Sequence, residues 1–111
     1  MAYDEQLASR IRDRVSGEDS LTEQKMFGGL AFLIGGNMAV AASGQGGLLV
    51  RVDPTGSDEL VETTPAEEME MRGRTMSGWL RLASADVEAD DELSAWVARG
   101  VEFARSLPAK R

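Results

Sequence analysis

The chain has 111 residues, of which 42% are hydrophobic, so it is long enough for one hydrophobic core and too apolar for a disordered protein. It contains no cysteine and no histidine, which excludes disulfides, thiol chemistry, Ser-His-Asp triads and zinc sites built on these ligands. The formal net charge of −7 argues against autonomous binding to duplex DNA, because a nucleic-acid module usually presents a basic surface.

The N-terminal half of the chain predicts a helix followed by an antiparallel meander. A stripe of apolar residues at four-residue spacing predicts a helix over residues 3–15. Apolar runs separated by glycine-rich turns, among them residues 35–37 and 43–47, then predict four strands, over residues 24–27, 30–34, 38–42 and 48–53. Their connections are short, so neighbouring strands should be antiparallel. In the fourth strand, Val50 and Val52 should be buried and Arg51 exposed, since alternate side chains point to opposite faces.

The C-terminal half predicts helices and one further strand. Ser57 can cap a short helical turn, and residues 64–67 (TPAE) predict the start of another, with Thr at the N-cap, Pro at the first helical position and Glu at the third. The pattern after this point predicts an irregular stretch, a last strand and a long amphipathic helix, over residues 71–78, 79–82 and 91–106. We expect Trp96, at the middle of this helix, to be a core residue.

These elements predict a single domain over residues 1–111 of the α+β class. Its two layers should be an antiparallel sheet of about five strands and the helices that flank it. The N-terminus is polar and acidic, and no apolar run approaches the ~20 residues that a membrane span needs. We therefore expect a cytoplasmic protein that does not associate with membranes.

Several short motifs, taken together in their order and spacing, resemble the N-terminal domain of the TfoX/Sxy family. They are KMFGG, GNM, LVRV, MSGWL and SLP, at residues 25–29, 36–38, 49–52, 76–80 and 106–108. Members of this family are best known as regulators of natural competence. The resemblance implies an antiparallel sheet flanked by helices, similar to type III secretion chaperones, and regulation together with a DNA-binding activator rather than catalysis. It also implies that this chain corresponds to the first domain of longer regulators, without their C-terminal helical domain.

One stretch of the chain, together with the fourth strand, supplies a candidate interaction surface. It combines basic, aromatic and methionine side chains, namely Arg51, Met71, Arg72, Arg74, Met76 and Trp79. Interleaved arginine and tryptophan are typical of surfaces that bind phosphates or stack bases, and methionine adapts to variable protein partners. The alternative is structural: Trp79 and the methionines would fill the core, and the arginines would lie on a solvated loop.

The sequence favours a non-enzymatic interaction or regulatory module that acts through a protein partner, such as a transcription factor. No direct binding to duplex DNA and no cofactor are expected, and the chain would be a monomer or a homodimer. The alternative is a small-ligand or nucleic-acid binding domain that uses an Arg/Trp patch containing Arg51, Arg72, Arg74 and Trp79. An enzyme would need a carboxylate pair or an activated Tyr3 in a pocket, and no motif indicates either.

Overall fold

The computed structural model of the chain describes residues 3–26, 28–71 and 73–109. Its helices and strands follow one another in the order α1 (Glu5–Val15), β1 (Leu21–Met26), β2 (Gly29–Ile34), β3 (Asn37–Ala42), β4 (Leu48–Arg51), α2 (Pro54–Thr63), β5 (Glu67–Met71), β6 (Arg74–Leu82), a short 3-10 helix (Ser84–Val87) and α3 (Asp90–Ser106). Within the described ranges, no helix is long and apolar enough to cross a membrane.

The strands form one sheet of six strands in the order β1-β2-β3-β4-β6-β5. Every neighbouring pair is antiparallel, as the short connections predict. The predicted α+β class and the helix-flanked antiparallel sheet are confirmed, with six strands where about five were expected. The additional strand is β5, which pairs with β6 at the edge of the sheet.

The prediction of a second helix starting at residues 64–67 is wrong. Thr64 ends α2 instead: its hydroxyl donates to the Leu60 carbonyl oxygen at 2.5 Å and accepts from the Ala66 backbone N–H at 3.2 Å. The chain then enters β5, and residues 74–78, predicted as irregular, are the first half of β6. Both segments form strands because β6 pairs with β4 on one side and with β5 on the other. A helix-start signal depends only on neighbouring residues and carries no information about such pairing.

Other element boundaries differ from the prediction by a few residues. Asp4 caps α1 by accepting from the Leu7 N–H at 3.1 Å, so this helix begins two residues later than expected. Asp53, and not Ser57, caps α2, with Pro54 in the first turn. Ser57 is buried and donates to the Pro54 carbonyl oxygen at 3.0 Å. The predicted end of the first strand at Phe27 lies outside the described residues.

The helices cover one face of the sheet and form the main core with it. Trp96 of α3 has only 1% of its surface exposed, which confirms its predicted place in the core. It belongs to one cluster with Leu7, Ile11 and Val15 of α1 and with Val50 of β4. The backbone of α3 approaches β3 so closely at Gly100 that an added Cβ would collide with the Ala39 carbonyl oxygen. Helix and sheet therefore fit together only with glycine at this contact.

Four arginines on the helical side of the molecule are paired with carboxylates. Arg10 and Arg14 of α1 contact Asp90 at the start of α3, at 3.0 and 3.2 Å, and Arg12 binds Glu23 of β1 at 2.8 Å. The hydrogen bond from Arg10 and the charges of Arg10 and Arg14 lower the pKa of Asp90. The hydrogen bond from Arg12 lowers the pKa of Glu23 in the same way. Arg105 of α3 likewise pairs with Glu18.

Candidate functional site

The face of the sheet opposite the helices is apolar. All residues of β2 and β3 are buried, whichever face their side chains point to. On this second face Ala31, Leu33, Met38 and Ala41 form a cluster of their own, against which Met26, Leu49 and Trp79 pack. Within the described residues, no helical side chain belongs to this cluster. We call this surface the open face. An antiparallel sheet with one solvated face normally alternates apolar and polar residues, and these two strands do not.

The open face is shaped as a groove with a volume of about 330 Å³. Its floor is a row of cross-strand neighbours on β2, β3 and β4, in which Ala31 pairs with Ala41 and Ala41 with Leu49. Larger side chains line the groove on either side: Met26 of β1 on one, and Met69, Met76 and Trp79 of the β5–β6 hairpin on the other. Because Ala31 and Ala41 have small side chains, the floor lies below the tips of the larger side chains that form the walls.

Arg51 stands at the end of β4, directly opposite Trp79 of β6. Its guanidinium carbon lies 5.1 Å from the centre of the Trp79 ring and 5.5 Å from that of Phe103. Both distances are within the range of cation–π attraction. Val50 and Val52 are buried as expected, but Arg51 is half-buried and not exposed as predicted, because the two rings cover part of its side chain. Among the described residues Arg51 has no ion pair and no hydrogen bond through its side chain.

The structure brings together three of the residues that the sequence indicated. Arg51, Met76 and Trp79 lie on or beside the groove. Met71 and Arg74 are paired at the end of the β5–β6 hairpin, where Arg74 is exposed. Arg72 lies outside the described residues.

Sequence reasoning missed most of the groove, including its floor. The residues that it did not select include Met26, Ala31, Met38, Ala41 and Leu49. One signal was present: the second and third strands are apolar at successive positions, where a half-solvated strand would alternate.

Few charged side chains line the groove. Arg81 lies opposite Glu67 of β5 on the same face, so its charge has a neighbour of opposite sign. Across the described part of the chain, no group of acidic side chains is arranged to hold a metal ion. The surface is suited to apolar contact with a few charged groups around it.

Residues 13–104 match the TfoX N-terminal domain family. The chain belongs to this family. The match covers the whole sheet with its groove, α2, nearly all of α3 and only the last three residues of α1, and it confirms the resemblance seen in the sequence motifs. No curated protein and no solved structure gave a match to the chain.

Proposed function

We propose that this TfoX N-terminal domain is a non-enzymatic regulatory module that acts by binding a protein partner through the open face of its sheet. The observation that carries the proposal is the apolar composition of both faces of β2 and β3, although the helices cover only one. The four residues at the centre of this face are themselves buried, and its accessible apolar part is the half-buried rim of Met26, Leu49 and Trp79. Exposed apolar patches are typical of sites where another molecule binds. The family's association with competence regulation makes control of transcription the setting we propose.

The side chains around the groove support a protein partner. Met26, Met38, Met69 and Met76 all line it. Methionine has three rotatable bonds and a polarizable sulfur, so a methionine-walled surface can adapt to the shape of a partner. Trp79 adds a large, rigid contact area, and tryptophan is enriched among the residues that dominate binding energy in interfaces.

A second candidate function is the binding of a small amphipathic molecule. The groove volume of about 330 Å³ falls at the lower end of the range of ligand pockets. Trp79 lines the groove, and Arg51 is the neighbour of Trp79 on β4. A small ligand of this kind should raise the melting temperature of the purified domain when it is added alone. If the groove instead binds a protein, the melting temperature should rise only when that protein is added.

The proposal is tested by capture from native lysate with two matched variants. Leu49→Arg places a charge in the groove at a half-buried position, and Ala98→Arg places the same charge on the exposed surface of α3. We expect the wild type and Ala98→Arg to capture the same protein, and Leu49→Arg to lose it, with both variants melting close to the wild type. Equal capture by all three would contradict the open face as the docking surface.

A further inference from the structure

From the exposed edge of β1 we infer that two copies of this chain pair with each other, so that their sheets join into one continuous sheet. The two β1 strands run antiparallel, and their Gln24 residues meet at a two-fold axis. Three features of β1 lead to this arrangement: its unpaired backbone, its regular pairing with β2 and its charges. The pairing uses the edge of the sheet and is independent of what binds the open face.

The outer side of β1 carries unpaired backbone groups. Within the described residues, β1 is the first strand of the sheet and pairs only with β2. The Gly35 N–H donates to the Ser20 carbonyl oxygen at 3.0 Å, so these two residues form a hydrogen-bonded pair just before β1 begins. Hydrogen-bonded and non-hydrogen-bonded pairs alternate along an antiparallel ladder. The N–H and C=O groups of Leu21, Glu23 and Lys25 therefore point away from β2, toward the free edge.

The other edge of the sheet, β5, is protected against such pairing. Its five residues include Glu67, Glu68 and Glu70 and no basic residue, so two β5 strands would bring like charges together. Its register also shifts between Glu68 and Met69, and irregularities of this kind keep edge strands from pairing. By contrast, β1 pairs with β2 without a shift over its six residues, and it contains no proline. Of the two edges, β1 is the one that a further strand can extend.

The charges of β1 are complementary to those of a second β1 strand. Glu23 and Lys25 are two residues apart, are both exposed, and lie on the same side of the strand. When two copies run antiparallel with Gln24 at the centre, Glu23 of each copy lies opposite Lys25 of the other. Opposite charges at facing positions stabilise a strand pair. Because the contact is two-fold symmetric, this attraction occurs twice, and each pair also exchanges both of its backbone hydrogen bonds.

Other registers match the charges less well. With Glu23 at the two-fold axis, the two Glu23 carboxylates would face each other, which is destabilising, and Lys25 would face the apolar Leu21. With Thr22 at the axis, Glu23 would face Leu21. Arg12 already binds Glu23 at 2.8 Å within one copy. In the register centred on Gln24, Lys25 of the second copy reaches the same carboxylate from the edge, so this carboxylate lies between two cations.

Joining the sheets places two open faces side by side. Thr22 and Gln24 lie on the open face with Met26, since their neighbours on β2, Leu33 and Ala31, belong to the apolar cluster there. Facing side chains of an antiparallel pair lie on the same side of a sheet. Both open faces are therefore on one side of the joined sheet, and the dimer presents two grooves related by the two-fold axis.

The dimer is expected to be weak and reversible. One strand edge is a small interface, and two copies with a net charge of −7 repel each other at long range. At about 0.15 M salt the Debye length is about 8 Å, so most of this repulsion is screened while charges in contact still attract each other. The association should therefore be measured at physiological salt and at high protein concentration.

Disulfide trapping tests the register, because the chain has no cysteine of its own. Facing residues of a non-hydrogen-bonded pair have Cα atoms about 4.5 Å apart, which a disulfide can span. Gln24→Cys places two thiols at this distance across the axis. Thr22→Cys is the matched control: it is exposed on the same face of β1, but its two copies would be about 14 Å apart. In a glutathione redox buffer, we expect Gln24→Cys to form the disulfide dimer at least about tenfold faster.

Sedimentation of the full chain tests the association itself. Lys25→Glu places a carboxylate opposite Glu23 in both copies, whereas Arg74→Glu makes the same change in net charge at an exposed position of β6. We expect the wild type and Arg74→Glu to dimerise alike, and the dissociation constant of Lys25→Glu to be at least about tenfold higher, because two facing pairs change from attraction to repulsion. A wild type that stays monomeric up to about 1 mM, equal association of all three proteins, or equal trapping of Gln24→Cys and Thr22→Cys would overturn the inference.

Discussion

Replacing Gly100 with alanine tests the contact that fixes α3 on the sheet. The added Cβ would lie 2.9 Å from a methyl carbon of Val40 and 3.0 Å from the Ala39 carbonyl carbon, and it would collide with the Ala39 carbonyl oxygen. Because two of these three atoms belong to the backbone of β3, the helix as a whole must move away. Overpacking of this kind costs about 1–3 kcal/mol, and occasionally more.

Helix propensity opposes this loss and sets its net size. Alanine within a helix is favoured over glycine by about 1 kcal/mol, which offsets part of the overpacking cost. At the upper end of that cost, about 3 kcal/mol, we expect Gly100→Ala to lower the free energy of unfolding by roughly 2 kcal/mol. At roughly 4 °C per kcal/mol for a domain near this size, the melting temperature should fall by roughly 8 °C.

Gly56→Ala is the matched control for this substitution. Gly56 lies in α2, and a Cβ there would meet nothing within 4 Å. Propensity should act alone at this position and raise the melting temperature slightly. Both variants are compared by thermal unfolding followed by circular dichroism. A Gly100→Ala protein that melts at or above the wild type would refute the close packing of α3 on β3.

Three further predictions concern the core, the surface charges and nucleic acid. Trp96→Ala should cost roughly 3–5 kcal/mol and lower the melting temperature by more than about 10 °C; an unchanged melting curve with loss of partner capture would instead make α3 an interaction surface. The pKa values of the Asp90 and Glu23 carboxyl groups are lowered below their ordinary 3.8 and 4.5. Each ionised carboxylate therefore contributes its full stabilisation at pH values above the ordinary pKa, and this stabilisation is lost as the pH falls through the lower pKa of the folded state. Asp90→Asn combined with Glu23→Gln should therefore flatten the fall in stability below about pH 4.5 in acid titrations, and an unchanged slope would show that these pairs are not involved. Duplex DNA should not bind tightly at physiological salt, and a gel shift at submicromolar protein that is lost on Arg72→Ala plus Arg74→Ala would show otherwise.

The sequence predicted secondary structure most accurately where a periodic pattern of apolar residues continued over many positions and matched the residues that are buried. The meander from β2 to β4 and the helix around Trp96 have such patterns, and both are found in the structure. The β5–β6 hairpin was missed because Glu67 and Glu68 follow a helix-start signal at Thr64 and have low strand propensity. Pairing with β6 outweighs these local preferences.

The candidate site was predicted only in part for a related reason. Arg51, Met76 and Trp79 were selected by residue type, and the pairing of β4 with β6 brings Arg51 and Trp79 together. Leu49 and Ala41 could not be assigned to a surface, since strand alternation divides side chains between two faces without saying which face the helices cover. That choice depends on where α1 and α3 pack, which is a property of the whole fold.

Photo-crosslinking in cells tests the open face as the partner surface most directly. A benzophenone amino acid is placed in the groove at Leu49 or Met76, and on the outer surface of the helices at Ser9 or Ala98, which are exposed. We expect the two groove positions to give an adduct with one second protein, and the two helical positions to give none. Adducts from Ser9 and Ala98 alone, or a groove adduct of twice the mass of this chain, would contradict a partner protein bound on the open face.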